Sequence, residues 1–198
     1  MGYNIEIIEK PDWVTWDVIH DVLASAHADN IRIGIRNALP ARSAEELCNF
    51  IGDRGKIYIA YTDGEVVGTG AIIKVQRAFW CGKQEYGYFC LASVLPEYRN
   101  KGIHIKIHNA LEDEAKKMGL KCVFFDAHEH NNKILDIQKK RGFMPIGLIV
   151  CKDHYNIIMM KWFSGCPYPS WYCRCQYLLR KFYKKLRFKP GMVKRFGI

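Results

Sequence analysis

Hydrophobic positions along the chain switch between two spacings. Tyr3–Ile8 alternates as a strand does, and Trp13, Trp16, Ile19 and Leu23 then recur at helical spacing behind Pro11-Asp12, predicting an amphipathic helix. The polar stretch HADNIRIGIRNALPA, residues 27–41, reads as a loop. Ser43-Ala-Glu-Glu46 carries the S-x-x-E of a capping box and predicts a second helix to about Ile51. Strand-like runs return at Lys56–Tyr61 and Val66–Val75, joined by Thr62-Asp63-Gly64 as a hairpin. A strand at Tyr86–Val94, a helix at Arg99–Met118, a strand at Cys122–Asp126 and a helix at Asn131–Lys140 follow. Strands at Phe143–Val150 and Tyr155–Met160 close the pattern. The order βααβββαβαββ combines hairpins with one strand–helix–strand unit, so the expected fold class is α+β, a mixed central β-sheet flanked by helices.

Composition narrows the class. With 198 residues, 49% hydrophobic and 25% charged, the chain can bury a real core, which excludes a disordered protein. No run approaches ~18 uncharged apolar residues. No basic, apolar and cleavage-site leader is apparent, so a cytoplasmic location is expected. Of the eight cysteines, five are scattered through apolar runs as buried thiols; Cys166, Cys173 and Cys175 cluster but lack C-x-x-C spacing and a fourth ligand, so no metal is expected.

The net charge of +10 is unevenly distributed. Ten of the 30 basic residues and none of the 20 acidic ones follow Asp153, so residues 1–153 are balanced and the whole excess lies in the last 45. The basic C-terminal segment is thus set apart in charge from the rest of the chain.

The candidate chemistry centres on PEYRNKGIHIKI, residues 96–107, where a strand hands over to a helix. The first N–H groups of a helix lack partners and carry partial positive charge, so they suit an anion. Gly102 permits close approach to the backbone, while Arg99 and Lys101 add charge suited to a phosphate. The pattern is neither GxxxxGK[ST] nor GxGxxG, so a nucleotide P-loop and a Rossmann fingerprint are not supported.

The longer stretch LASVLPEYRNKGIHIKI resembles the acetyl-CoA-binding segment of the GNAT superfamily of N-acetyltransferases, a strand end followed by a proline and R/Q-x-x-G-x-G/A at a helix start. Residues 131–147, NNKILDIQKKRGFMPIG, resemble that family's second signature, N-x-x-A-x-x-x-Y-x-x-x-G-F, and the likeness covers residues 3–163, which implies an N-acetyltransferase domain over residues 1–163 and a basic amphipathic extension over 164–198. The resemblance implies that acetyl-CoA, as co-substrate, inserts its pantetheine arm beside the strand ending near Val94. Its amides would then pair with Ala92, Ser93 and Val94, and its pyrophosphate would sit on the N–H groups of Asn100, Lys101, Gly102, Ile103, His104 and Ile105. Asn131 falls where the family commonly touches the cofactor. Two positions depart from the pattern: His104 replaces a small residue, and Gln138 stands where a tyrosine often protonates the leaving thiolate.

Transfer to an amine requires a base, and the tetrahedral oxyanion requires a backbone N–H, for which Val94 is the candidate. In FFDAHEHNN, Asp126 matches an acidic position that serves as base in some relatives, and His128 points to the same side of an extended strand; either is a candidate base. Tyr88 stands where some relatives carry a glutamate base, and the hydroxyl of Tyr86 or Tyr88 is a candidate acid. The acceptor is expected to be a small-molecule amine such as an amino sugar or envelope precursor, shaped by residues 28–42 with His27, Asp29, Asn30, Arg32, Arg36 and Asn37. Alternatives are a non-catalytic CoA-fold binding module and a longer-chain acyltransferase working at a membrane or with an acyl carrier protein.

The family does not account for WYCRCQYLLRKFYKKLRF, residues 171–188. On a helix, Trp171, Cys175, Leu178, Leu179, Phe182 and Leu186 share one face, with basic residues around the rest. That face either packs on the core or on a second subunit as a homodimer, or makes peripheral contact with the inner face of a membrane. An acidic partner is the third reading, with nucleic acid the less favoured form of it.

Overall fold

The computed structural model describes residues 4–32, 42–151 and 154–187, the side chains of residues 29–31 and 187 excepted. The chain forms two compact units, Met1–Leu120 and Lys121–Ile198.

The first unit contains β1 (Glu6–Glu9), α1 (Trp16–Arg32), α2 (Ala44–Ile51), β2 (Gly55–Thr62), β3 (Glu65–Phe79), β4 (Gly82–Val94) and α3 (Ile103–Lys117). Its strands pair antiparallel in chain order. Asp63 and Gly64 turn between β2 and β3 with φ of 48° and 86°, the left-handed pair a two-residue hairpin requires. The expected capping box at α2 is formed: Ser43 Oγ accepts from the Glu46 amide at 3.1 Å, and Glu46 Oε2 accepts from the Ser43 amide at 2.8 Å.

Boundaries at α1 and at the β3–β4 hairpin differ from the sequence expectation. Residues 27–32 continue α1, because no Gly or Pro interrupts the run before Gly34; residues 33–41, with Arg36 and Asn37, lie outside the described residues. Trp13 precedes the helix, 60% exposed, its ring edge-on to Tyr61 at 5.3 Å; the buried side of α1 is Ile19, Val22, Leu23 and Ala26. The β3–β4 hairpin is much longer than its apolar alternation, since residues 76–85 are largely exposed and pair chiefly through their backbones.

Helix α3 covers β3. Its inner residues Ile103, Ile107, Leu111 and Ala115 are at most 1% exposed. They come this close because β3 presents backbone: a Cβ added at Gly70 would stand 2.5 Å from Ile107 Cγ2, and one at Gly68 would stand 3.2 Å from Ile107 Cδ1. Below the helix, Tyr58 donates to Glu114 at 2.9 Å, and burial together with that carboxylate pushes the phenol pKa far above its ordinary value. Gly70→Ala is expected to destabilise the protein by about 1–3 kcal/mol through overpacking. Chemical denaturation measures this, and Ile107→Ala in the same chain should make the double variant more stable than the sum of the two single losses.

The second unit contains β5 (Cys122–His128), α4 (Asn132–Lys140), β6 (Met144–Val150), β7 (Tyr155–Trp162) and α5 (Ser170–Arg187). Strand β7 lies between β5 and β6, antiparallel to both. Its core includes Leu135, Phe143, Ile146, Leu148, Met159 and Met160, with Phe125 edge-on to Phe143 at 5.3 Å. Helix α5 packs on β6. It does so without its apolar face, since Trp171, Leu178, Leu179, Phe182 and Leu186 are each at least half exposed. Cys166 and Cys173 bring their sulfurs to 3.5 Å. Among the described residues, no three His, Cys, Asp or Glu side chains are grouped to hold a metal, and no helix is long and apolar enough to cross a membrane.

Candidate active site

The candidate cofactor residues of the first unit occupy the end of β4 and the turn into α3. A register shift opposite Thr69–Ala71, with Leu91 at φ 54°, distorts β4 just before Ala92, Ser93 and Val94. Ser93 is 5% exposed, and its Oγ lies 3.0 Å from His27 Nε2 of α1. The Arg99 guanidinium donates from Nη2 to the Ala26 carbonyl at 2.6 Å and from Nε to the Val94 carbonyl at 3.3 Å. Burial first, and the Arg99 charge second, hold the His27 pKa below its ordinary value, so the ring is neutral at neutral pH. Arg99, expected to meet a phosphate, thus braces backbone, while His27, expected in an acceptor loop, sits on the strand end.

The helix that follows begins at Ile103 rather than Arg99. Pro96–Tyr98 makes a single 3-10 turn, then Asn100 (φ 65°) and Gly102 (φ 75°) are left-handed and interrupt the helical path. The Gly102 carbonyl accepts from the amides of Ile105 at 3.0 Å and Lys106 at 3.1 Å. Ile105 therefore turns its amide into the helix, leaving the amides of Gly102 and Ile103 ahead of the first helical bond. No side chain caps α3 among the described residues, whereas Ser43 caps α2 and Asn131 caps α4 by accepting from the Ile134 amide. Nothing lies within 4 Å of where a Gly102 Cβ would be. The Lys101 ammonium lies over the Tyr98 ring at 4.8 Å. The His104 ring lies along the helix against His108, centroids 4.3 Å apart. A hollow of about 950 Å³ lined by Arg54, Lys56, Lys74, Arg77 and Met118 opens beyond the C-terminal end of α3, away from this turn.

The candidate acids and bases have unequal surroundings. Asp126 and His128 both lie on β5, two residues apart, and Asp126 Oδ2 accepts from Asn156 Nδ2 at 2.7 Å. His128 Nδ1 accepts from the His130 amide at 3.1 Å, and its ring stacks on His154 at 4.5 Å. That bond occupies the Nδ1 lone pair and fixes the neutral ring as the Nε2–H tautomer, which has no second lone pair to act as base. Tyr86 is fully buried and donates to the Gly82 carbonyl at 2.9 Å, so its hydroxyl serves the hairpin. Tyr88, two residues on, is only partly buried. Gln138 is completely buried within α4.

The acetyltransferase (GNAT) family matches the sequence over residues 19–143. The chain belongs to this family. No curated protein matches the sequence. A GNAT family acetyltransferase from Elizabethkingia anophelis, solved with acetyl-CoA bound, is similar in fold, with a TM-score of 0.60 and 15% identity over 81% of this chain and 99% of its own. The ribosomal-protein-S18-alanine N-acetyltransferase from Escherichia coli gives 0.62 and 15% over 82% and 96%. An aminoglycoside 6'-acetyltransferase type Ii gives 0.62 and 17% over 83% and 99%. The α+β class with a mixed sheet flanked by helices is that of this GNAT protein.

The sequence reading missed the Arg99–Ala26–Val94 brace and the Ser93–His27 contact. The first has no local signature, because Ala26 lies 73 residues upstream. In this GNAT protein Arg99→Ala is expected to destabilise by about 1.5–3 kcal/mol or more, the scale of a hydrogen bond to a charged group. A neutral His27 contributes stability that is fully present above the unfolded-state pKa of 6.5 and is lost as pH falls below it. In Arg99→Ala the His27 pKa should rise toward, but not reach, its ordinary value, because burial remains; proton NMR titration measures it.

Proposed function

We propose that this GNAT protein transfers an acetyl group from acetyl-CoA to the amine of a small molecule. The observation that carries the reading is the uncapped start of α3, where the Gly102 and Ile103 amides stand ahead of the first helical bond on an open, left-handed glycine. An anion such as the CoA pyrophosphate suits this helix end. Residues 1–163 would form the acetyltransferase domain and residues 164–198 an extension.

In the proposed reaction, the amine nitrogen attacks the thioester carbonyl. The oxyanion is held by the Val94 amide, the C–S bond breaks, and the thiolate takes a proton. Asp126 takes the amine proton. It is favoured over His128 because its carboxylate, anchored by Asn156, retains acceptor capacity, whereas His128 Nδ1 already accepts from His130. Tyr88 is the proposed acid, since Tyr86 is spent on Gly82 and Gln138 is buried. The aminoglycoside enzyme of similar fold supports an amino sugar as acceptor, and Arg32 suits a phosphate-bearing one such as an envelope precursor. The reaction would run in the cytoplasm.

Calorimetric titration with acetyl-CoA, followed by thiol release against amino sugars, polyamines and peptide N-termini, tests this. The expected result is binding and release, with Asp126→Asn lowering kcat/KM by about 10²–10⁴ while acetyl-CoA affinity is kept. Binding without release for any amine would point instead to a non-catalytic binding module. Turnover only with longer acyl donors would replace acetyl as the group transferred.

A further inference from the structure

Helix α5 is turned the opposite way from an ordinary surface helix. The side toward β6 carries Cys173, 2% exposed, half-buried Tyr177, and Lys184, whose ammonium donates to the Leu148 carbonyl. Away from it stand Trp171 (66% exposed), Leu178 (50%), Leu179 (64%), Phe182 (68%) and Leu186 (66%). At helical periodicity these side chains, with exposed Cys175, fill a stripe about 100° wide centred opposite Cys173 and Lys184. A surface helix usually buries such a stripe; here an amine is directed to the protein and five large apolar groups to the outside. Exposed apolar groups scattered singly are ordinary, but a continuous stripe marks an interaction surface.

Charge selects the occupant. Arg174, Lys181 and Lys185 run along one edge of the stripe and Arg180 lies beyond the other, and α5 contains no acidic residue. Lys185 also pairs with Glu129 at 2.8 Å. A second copy seated stripe to stripe would bring these basic edges together with no carboxylate on either helix to meet them. An anionic bilayer meets all three requirements, because apolar side chains enter the acyl boundary, Trp171 and Tyr183 suit the headgroup level, and the basic edge lies against phosphates. We propose that α5 is an interfacial helix that docks this protein, lying in the membrane plane, on an anionic phospholipid bilayer. The proposal is independent of the reaction assigned above.

Flotation of the full chain with vesicles of phosphatidylcholine alone, or of phosphatidylcholine mixed with phosphatidylglycerol, tests it. The protein should float with the anionic vesicles only and be released as salt rises. Leu179→Glu with Phe182→Glu should remove flotation without lowering the melting temperature, since both side chains are exposed. Arg174→Gln and Lys181→Gln should each weaken vesicle affinity about fivefold. Absence of flotation on the anionic vesicles would overturn the proposal, as would flotation that survives the two glutamates. So would a dimer in sedimentation velocity that the same glutamates split, which would assign the stripe to a second copy.

Discussion

The guanidinium of Arg99 is the joint on which the first unit's candidate site depends. It ties the Ala26 carbonyl of α1 to the Val94 carbonyl at the end of β4, and so fixes where the strand stops and from which direction the chain leaves it. Two interactions complete the turn: the Leu95 amide donates to the Val67 carbonyl at 3.0 Å, and α3 settles on the bare backbone of Gly70. With both ends of residues 95–102 held, the left-handed Asn100 and Gly102 set the path by which the chain enters α3. The same charge disfavours protonation of His27 and so keeps the ring neutral beside Ser93. A lysine could not reproduce this, because the two carbonyls are met by different nitrogens of one planar fork.

Much of the fold was legible because local chemistry and tertiary demand agree. The Ser43/Glu46 capping box and the Asp63-Gly64 turn each appear in the structure as their residues predict. The errors have physical reasons as well. Exposed strand residues such as Gln76–Ala78 are held by backbone pairing, which leaves no hydrophobic alternation to read. The start of α3 moved to Ile103 because Asn100 adopts a positive φ, which composition alone does not announce. The contacts of Arg99 and His27 join residues distant in sequence, and no spacing rule reaches them.

The departures from the family pattern acquire structural meaning in the same terms. The His104 ring is accommodated by stacking on His108, which is itself 2% exposed and edge-on to Phe89. Gln138 is a fully buried residue of α4, with the Phe143 amide donating to its backbone carbonyl at 3.0 Å. Helix α5 shows the limit of pattern reading: periodicity identified its apolar stripe, but nothing in the sequence said that the stripe would point away from the protein.

The start of α3 is the proposed seat of the coenzyme. The most direct measurement is an amide-correlation NMR titration of the labelled protein with coenzyme A. The amides of Gly102 and Ile103 should shift most, ahead of that of Ile105, whose hydrogen already meets the Gly102 carbonyl. Saturable binding that leaves these amides in place, with the largest changes at residues of the hollow beside Lys74 and Arg77, would contradict it.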